Sequence, residues 1–247
     1  MLSSLLYRGE VAEVARRVPH LLLTAVEQGN LFAATDLRTR MNLIWLAADN
    51  PTRAREEVIA ALKAWPQEGF HLQHFSSMMA LAQIELYTGD FEVVWKHLEG
   101  HLQPLEQSML LRIQILRIEA RHLRARAALA SASGRDREAR LKIAANLARK
   151  IQKEELQWAD PLASLIWAGL AVARRNDSGA KAFLSQALEG FLVADMELYA
   201  AATRRRLGLL IGEARGRQLV AQADEWMSQQ QILNPERMTQ MLIPGFE

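Results

Sequence analysis

The sequence predicts an all-α fold: antiparallel helix hairpins stacked as a tetratricopeptide-like right-handed solenoid. Turn signals recur at Gly9, Asn50, Gly89, Gly134, Asn176 and Gly212, about forty residues apart, as in an array with one helix pair per period. Between them apolar residues fall at helical spacing, and no β-branched run alternates as a strand would. Ala, Leu, Arg, Glu and Gln dominate, and all are good helix formers. Each hairpin of such an array buries one face on its neighbours, so a core forms only by stacking. The 247 residues read as one helical-repeat domain, 1–247, with possible sub-units 1–104 and 105–247.

Residues 1–7 look like the tail of a helix cut short, which implies a missing partner upstream and a fragment of a larger protein. Gly9-Glu10 turns into a helix over about 10–28 that carries Val11, Val14, Val18, Leu22 and Val26; Pro19 should kink or split it. After Gly29-Asn30 a single helix is expected over about 31–48. Asn50 caps the next, with Pro51 at its first position, where the missing N–H costs nothing. Gly69 breaks the chain before a helix over about 72–87. The clearest turn follows: Gly89 closes one helix in the left-handed conformation and Asp90 caps the next. That next helix should fade near Gly100 to Pro104. One long helix is expected over about 105–133, with Leu111, Ile115, Ile118, His122 and Leu129 along one side. Gly134-Arg135 turns into helix as far as Leu156, and Asp160-Pro161 starts another that reaches Arg175. Helices over 178–192, to Ile211 and to about Gln231 follow, and Asn234-Pro235 opens a last short one.

Composition narrows the function classes. Half of the residues are hydrophobic and 23% are charged, an ordinary globular balance. A net charge of +2 and the lack of interleaved exposed aromatics argue against a nucleic-acid partner. The absence of cysteine excludes disulfides and thiolate metal sites and fits a reducing cytoplasm. No run approaches ~18 consecutive apolar residues, so no membrane span is expected, and the N-terminus lacks the pattern of a signal peptide.

No chemical motif stands out. Phosphate-binding glycine loops, kinase signatures and the nucleophile elbow are all missing from the sequence. His97 and His101 lie one turn apart, yet Leu98 stands where a zinc-protease pattern needs Glu; His71 and His74 are read as exposed. Glu56-Glu57 and Glu154-Glu155 diverge on a helix and read as solvated surface. No catalytic, cofactor-binding or metal-ligating residue is therefore assigned. The one candidate partner surface is Arg117, Arg121 and Arg124, which share a helix face and could grip the carboxylates of an acidic peptide. The competing reading is a solvated face with local pairing, for example to Glu119. Arg204-Arg205-Arg206 is a second basic cluster. Trp45, Trp95, Trp167 and Met78-Met79 read as packing.

Five stretches together carry a resemblance: residues 30–38 (NLFAATDLR), 45–49 (WLAAD), 69–74 (GFHLQH), 194–201 (ADMELYAA), and 234–238 (NPERM) with 244–246 (PGF). The set resembles the C-terminal helical-repeat region of large bacterial serine/threonine kinases of the eukaryotic type. In those proteins a kinase domain precedes an ATPase-like module and a tetratricopeptide-like tail. The resemblance implies a non-catalytic interaction or sensor module that regulates the parent kinase or ATPase by docking a peptide or a neighbouring domain. ATP and Mg would belong to the parent kinase alone, since none of its active residues maps here. The alternatives are an inducer-sensing tail of an ATPase-class transcription regulator and a stand-alone peptide-binding adaptor.

Overall fold

The structure, a computed structural model, describes residues 2–246. They form fourteen α-helices and two 3-10 turns, with no strand among the described residues. In chain order the helices are α1 (Leu2–Arg8), α2 (Val11–Glu27), α3 (Leu31–Thr39), α4 (Leu43–Ala47), α5 (Pro51–Ala64), α6 (Leu72–Thr88) and α7 (Phe91–Gln107). They continue as α8 (Gln114–Ala130), α9 (Arg137–Gln152), α10 (Asp160–Ala173), α11 (Asp177–Val193), α12 (Glu197–Ile211), α13 (Glu213–Gln229) and α14 (Pro235–Leu242). The fold is all-α.

Local chemistry sets most boundaries. Asn50, Asn176 and Asn234 each accept a hydrogen bond from the backbone N–H three residues on, at 2.9, 2.9 and 3.1 Å, and Asn30 does the same for α3 at 3.0 Å. Gly89 ends α6 at φ +83°. Asp90, expected to cap α7, makes no such bond; its carboxylate accepts from the Thr88 hydroxyl at 2.6 Å instead.

Four other boundaries depart from expectation. The helix expected over 31–48 breaks between α3 and α4, where buried Asn42 donates to the carbonyls of Arg38 (3.1 Å) and Ala54 (2.8 Å). The helix expected over 105–133 breaks at Met109, which takes φ +63° ahead of the 3-10 turn Leu110–Arg112. Conversely, α2 runs unbroken through Pro19 and α7 through Gly100 and Pro104. Both prolines lie on exposed helix faces, where water can satisfy a carbonyl deprived of its partner.

Helices pack chiefly on their sequence neighbours: α5 on α6, α6 on α7, α8 on α9, α10 on α11, α11 on α12 and α12 on α13. Alanine makes this possible. Ala54, Ala82, Ala125, Ala127, Ala144, Ala163, Ala180, Ala187 and Ala200 to Ala202 are fully or nearly fully buried, and their small side chains let the helix axes approach. Phe75, Phe191, Leu46 and Ile84 fill the larger gaps, each worth about 1.5–3 kcal/mol of burial. One core cluster runs from Val11 to Ile243, drawing on both halves of the chain.

The two ends of the chain meet. α1 packs on α12, and α14 packs on both α6 and α12. Gly9 (φ +84°) lies so close to α12 that a Cβ there would sit 2.6 Å from the Leu198 nitrogen. The Gln230 side chain accepts from the Ala12 N–H at 3.3 Å, and the Leu233 N–H donates to the Ala47 carbonyl at 2.8 Å. Asp49 then accepts from Tyr87 (2.7 Å), Asn234 (3.2 Å) and Arg237 (3.2 Å). These contacts bring α1, α6, α12 and α14 together around a central space.

Candidate functional site

The central space is a cavity of about 170 Å³ whose wall takes side chains from α1, the α3–α4 break, α6, α8, α10, α12 and α14. Helix α8 supplies its charged floor. Glu119, His122 and Arg126 lie three and four residues apart, so they share the inward face of that helix. Met79, Met196, Met241, Leu162 and Trp158 make most of the remaining wall apolar.

Two polar groupings divide the wall. In one, the Tyr7 hydroxyl donates to the Glu119 carboxylate, tying α1 to α8. Burial pushes the Glu119 carboxyl above the usual range, against the opposing pull of the Tyr7 bond and the Arg40 charge. Burial also raises the Tyr7 phenol, and the Glu119 charge adds to that rise. Arg40 stands within 3.8 Å of Asp36, so the positive charge on this side has acidic company.

The other grouping is Arg126, His122 and Tyr199. Arg126 is 2% exposed and is the largest fully buried side chain among the described residues. Its guanidinium donates to the Met241 carbonyl at 3.0 Å, its Nε–H has no partner, and no described carboxylate pairs with it. Burial lowers its pKa from the ordinary arginine value, but a guanidinium stays protonated in proteins. His122, 3% exposed, is held well below its usual pKa by burial and then by the Arg126 charge, so it is neutral at pH 7. Its Nε2 has no hydrogen-bond partner. The Tyr199 ring stacks on Phe191 at 5.1 Å and meets His122 at 5.9 Å; burial raises its phenol while the Arg126 charge opposes the rise.

The arginines singled out in the sequence stand elsewhere. Arg117, Arg121 and Arg124 do share a face of α8, and they line a separate cleft between α7, α8 and α9. Their charges are engaged within the chain. Arg117 grips Glu154 with two bonds of 2.7 and 2.6 Å, Arg121 joins the same carboxylate, and Arg124 reaches Glu99 at 3.0 Å and overlies Trp95. The local partner is thus Glu154, not Glu119, which faces the cavity. The Arg117 bond chiefly holds the Glu154 carboxyl down at about 2. Glu154 and Glu57 are not solvated surface: each is nearly buried and ion-paired, whereas Glu155 and Glu56 point outward. Arg205, from the second basic cluster, pairs with Asp224 at 2.8 Å.

The histidine pairs are neighbours across α6 and α7. Phe70 stacks on His74 (5.8 Å) and leans on His101 (6.3 Å). His71 is exposed as expected and His74 is half-buried, while His97 is 11% exposed and bonds to the nearly buried Glu85 at 2.9 Å. Among the described residues no three His, Asp or Glu groups converge in a way that could hold a metal ion. Trp45, Trp95 and Trp167 pack against the core clusters and Met78 is buried, while Met79 lines the cavity.

The sequence had placed His122 on an apolar stripe and had not used Glu119 or Arg126 as site residues. The signal was there: three titratable side chains on the buried face of one helix. No helix among the described residues is long and apolar enough to cross a membrane. No protein-family model, curated protein or solved structure matches the chain.

Proposed function

We propose that the chain is a non-catalytic sensor and interaction module of a cytoplasmic bacterial serine/threonine-kinase signalling protein. Its helix pairs form a tetratricopeptide-like right-handed solenoid, curved until the ends touch. A small molecule in the central cavity would bias the parent kinase or ATPase module. The observation that carries the sensor half is the central cavity, whose wall draws on seven separate parts of the chain. A ligand there touches both ends of the array at once, so occupancy is coupled to ring closure through differential contacts. Neighbour-on-neighbour packing supports the solenoid.

Two features support a docking role beside the sensing one. Leu23, Val26, Phe32 and Ile59 are more than half exposed on α2, α3 and α5, an apolar face suited to a neighbouring domain. The Arg117–Arg121–Arg124 cleft keeps about a quarter of each side chain in solvent, enough to meet an acidic peptide that competes with Glu154 and Glu99. The central cavity would equally serve an inducer-sensing tail of an ATPase-class transcription regulator, and the domains joined to the chain distinguish the two.

A calorimetric and ligand-observed NMR screen of neutral, anionic and cationic small molecules tests the sensor reading. At least one should bind wild type and fail to bind Met79→Trp, which fills the cavity. If no molecule of any charge class binds, the sensor reading falls. The purified chain should show no phosphotransfer or ATP turnover, and robust turnover would reverse the non-catalytic assignment.

A further inference from the structure

We infer that the ligand of the central cavity is a small organic carboxylate, a monoanion with an apolar body, held through Arg126. This rests on the sensor reading and names the chemistry of its ligand. Arg126 is a charge taken out of water with no counter-charge, an arrangement that costs several kcal/mol unless something completes it. The Met241 carbonyl is a neutral acceptor occupying one nitrogen, whereas a guanidinium offers five N–H donors in a planar fork that matches a carboxylate. His122, neutral and unpartnered at Nε2, and Tyr199 lie beside that fork and have hydrogen-bonding groups to offer a bound anion.

Charge and size narrow the class. Arg40 already has Asp36 and Glu119 for company, whereas Arg126 has no carboxylate within ion-pair distance, so one guanidinium is left to pair. A monoanion pairs that one guanidinium, while a phosphate dianion would bring a second charge with no partner against a mainly apolar wall. A cavity of about 170 Å³ is slightly larger than the ~150 Å³ cavity that admits benzene, which sets the ligand at about seven to nine non-hydrogen atoms. Met79, Met196 and Met241 are unbranched and polarizable, and they adapt to an aromatic or short branched body.

Isothermal calorimetry on the full chain tests this with benzoate and 3-methylbutanoate as probes, benzamide as the neutral isostere and benzylamine as the cation. A bond to a charged group is worth about tenfold to a hundredfold in affinity. Wild type should bind at least one acid, and should bind benzoate at least about tenfold more tightly than benzamide. Arg126→Met should lose that preference, with benzamide binding nearly unchanged and a melting temperature at or above that of wild type. A purely structural Arg126 predicts the opposite for the variant: a lower melting temperature and a retained preference for the acid. Equal affinity for benzoate and benzamide in wild type overturns the carboxylate assignment while leaving the sensor reading intact, and needs no variant to fold. Failure of both acids to bind overturns it as well.

Discussion

Ring closure should weaken measurably when Asp49 becomes Asn. Asp49 sits in the α4–α5 turn at φ +49°, a conformation Asn also tolerates, so the substitution changes charge without straining the backbone. Three donors converge on this carboxylate, and they do not count equally. Arg237 is 49% exposed, so its pairing is worth about 0–1 kcal/mol. Asn234 can re-pair with an Asn side chain. The Tyr87 hydroxyl dominates, because Tyr87 is 1% exposed and bonds the carboxylate at 2.7 Å. A bond to a charged acceptor contributes about 1.5–3 kcal/mol and a neutral one about half as much. Asp49→Asn should therefore cost about 1.5 kcal/mol at pH 7, lowering the melting temperature by about 3–6 °C. The pH dependence has a definite sign. The Tyr87 bond chiefly, with the Asn234 bond and Arg237 adding to it, lowers the folded-state pKa of Asp49. Its stabilisation is therefore fully present above the unfolded value of ~3.9 and disappears as pH falls through the lowered folded value. Thermal melts of both proteins from pH 7 downward should show a constant gap that closes in acid. Equal melting temperatures at pH 7, or a gap that widens below pH ~4, would refute this account of the latch.

Other substitutions test separate parts of the structure. Glu154→Gln should cost about 1–2 kcal/mol in urea titrations, since it strips the bidentate partner from Arg117 and leaves Arg121 without its carboxylate; the arginines' partial exposure keeps the figure modest. Gly216→Ala should destabilise by more than about 2 kcal/mol, because a Cβ there would collide with the Gly208 carbonyl where α12 crosses α13. Gly100→Ala should do the reverse and stabilise by about 0.5–1 kcal/mol, as Gly100 is an exposed position inside α7 with open space around it. Differential scanning calorimetry of these two glycine variants should give melting temperatures on opposite sides of wild type.

What the sequence disclosed was local. Asn50-Pro51, Gly89, Asn176 and Asn234-Pro235 act on residues within one turn, so their spacing was enough to place them. The break at Asn42 was invisible because it depends on a carbonyl twelve residues away, on α5. Pro19 and Pro104 misled because a proline's effect depends on whether its orphaned carbonyl faces water, which follows from packing. Helical spacing placed Arg117, Arg121 and Arg124 on one face of α8. Arg126, two residues from Arg124, points to the other side of the helix and into the cavity. Its isolation was not legible, because the missing counter-charge is a property of seven converging segments. The nearest sequence sign was His122 on an otherwise apolar stripe.

Contact between the two ends of the chain is the claim on which the central cavity depends, and a spin-label distance tests it directly. The chain has no cysteine, so Arg16→Cys on α2 and Gln229→Cys on α13 supply unique label sites on exposed positions near the Ala12–Gln230 contact. The closed ring predicts one narrow distribution below about 25 Å, the span of two adjacent helices plus the label arms. An open array of five hairpins, with successive helices about 10 Å apart, would place the same sites about 40 Å or more from each other. A distribution centred there would contradict the closed ring and the cavity with it.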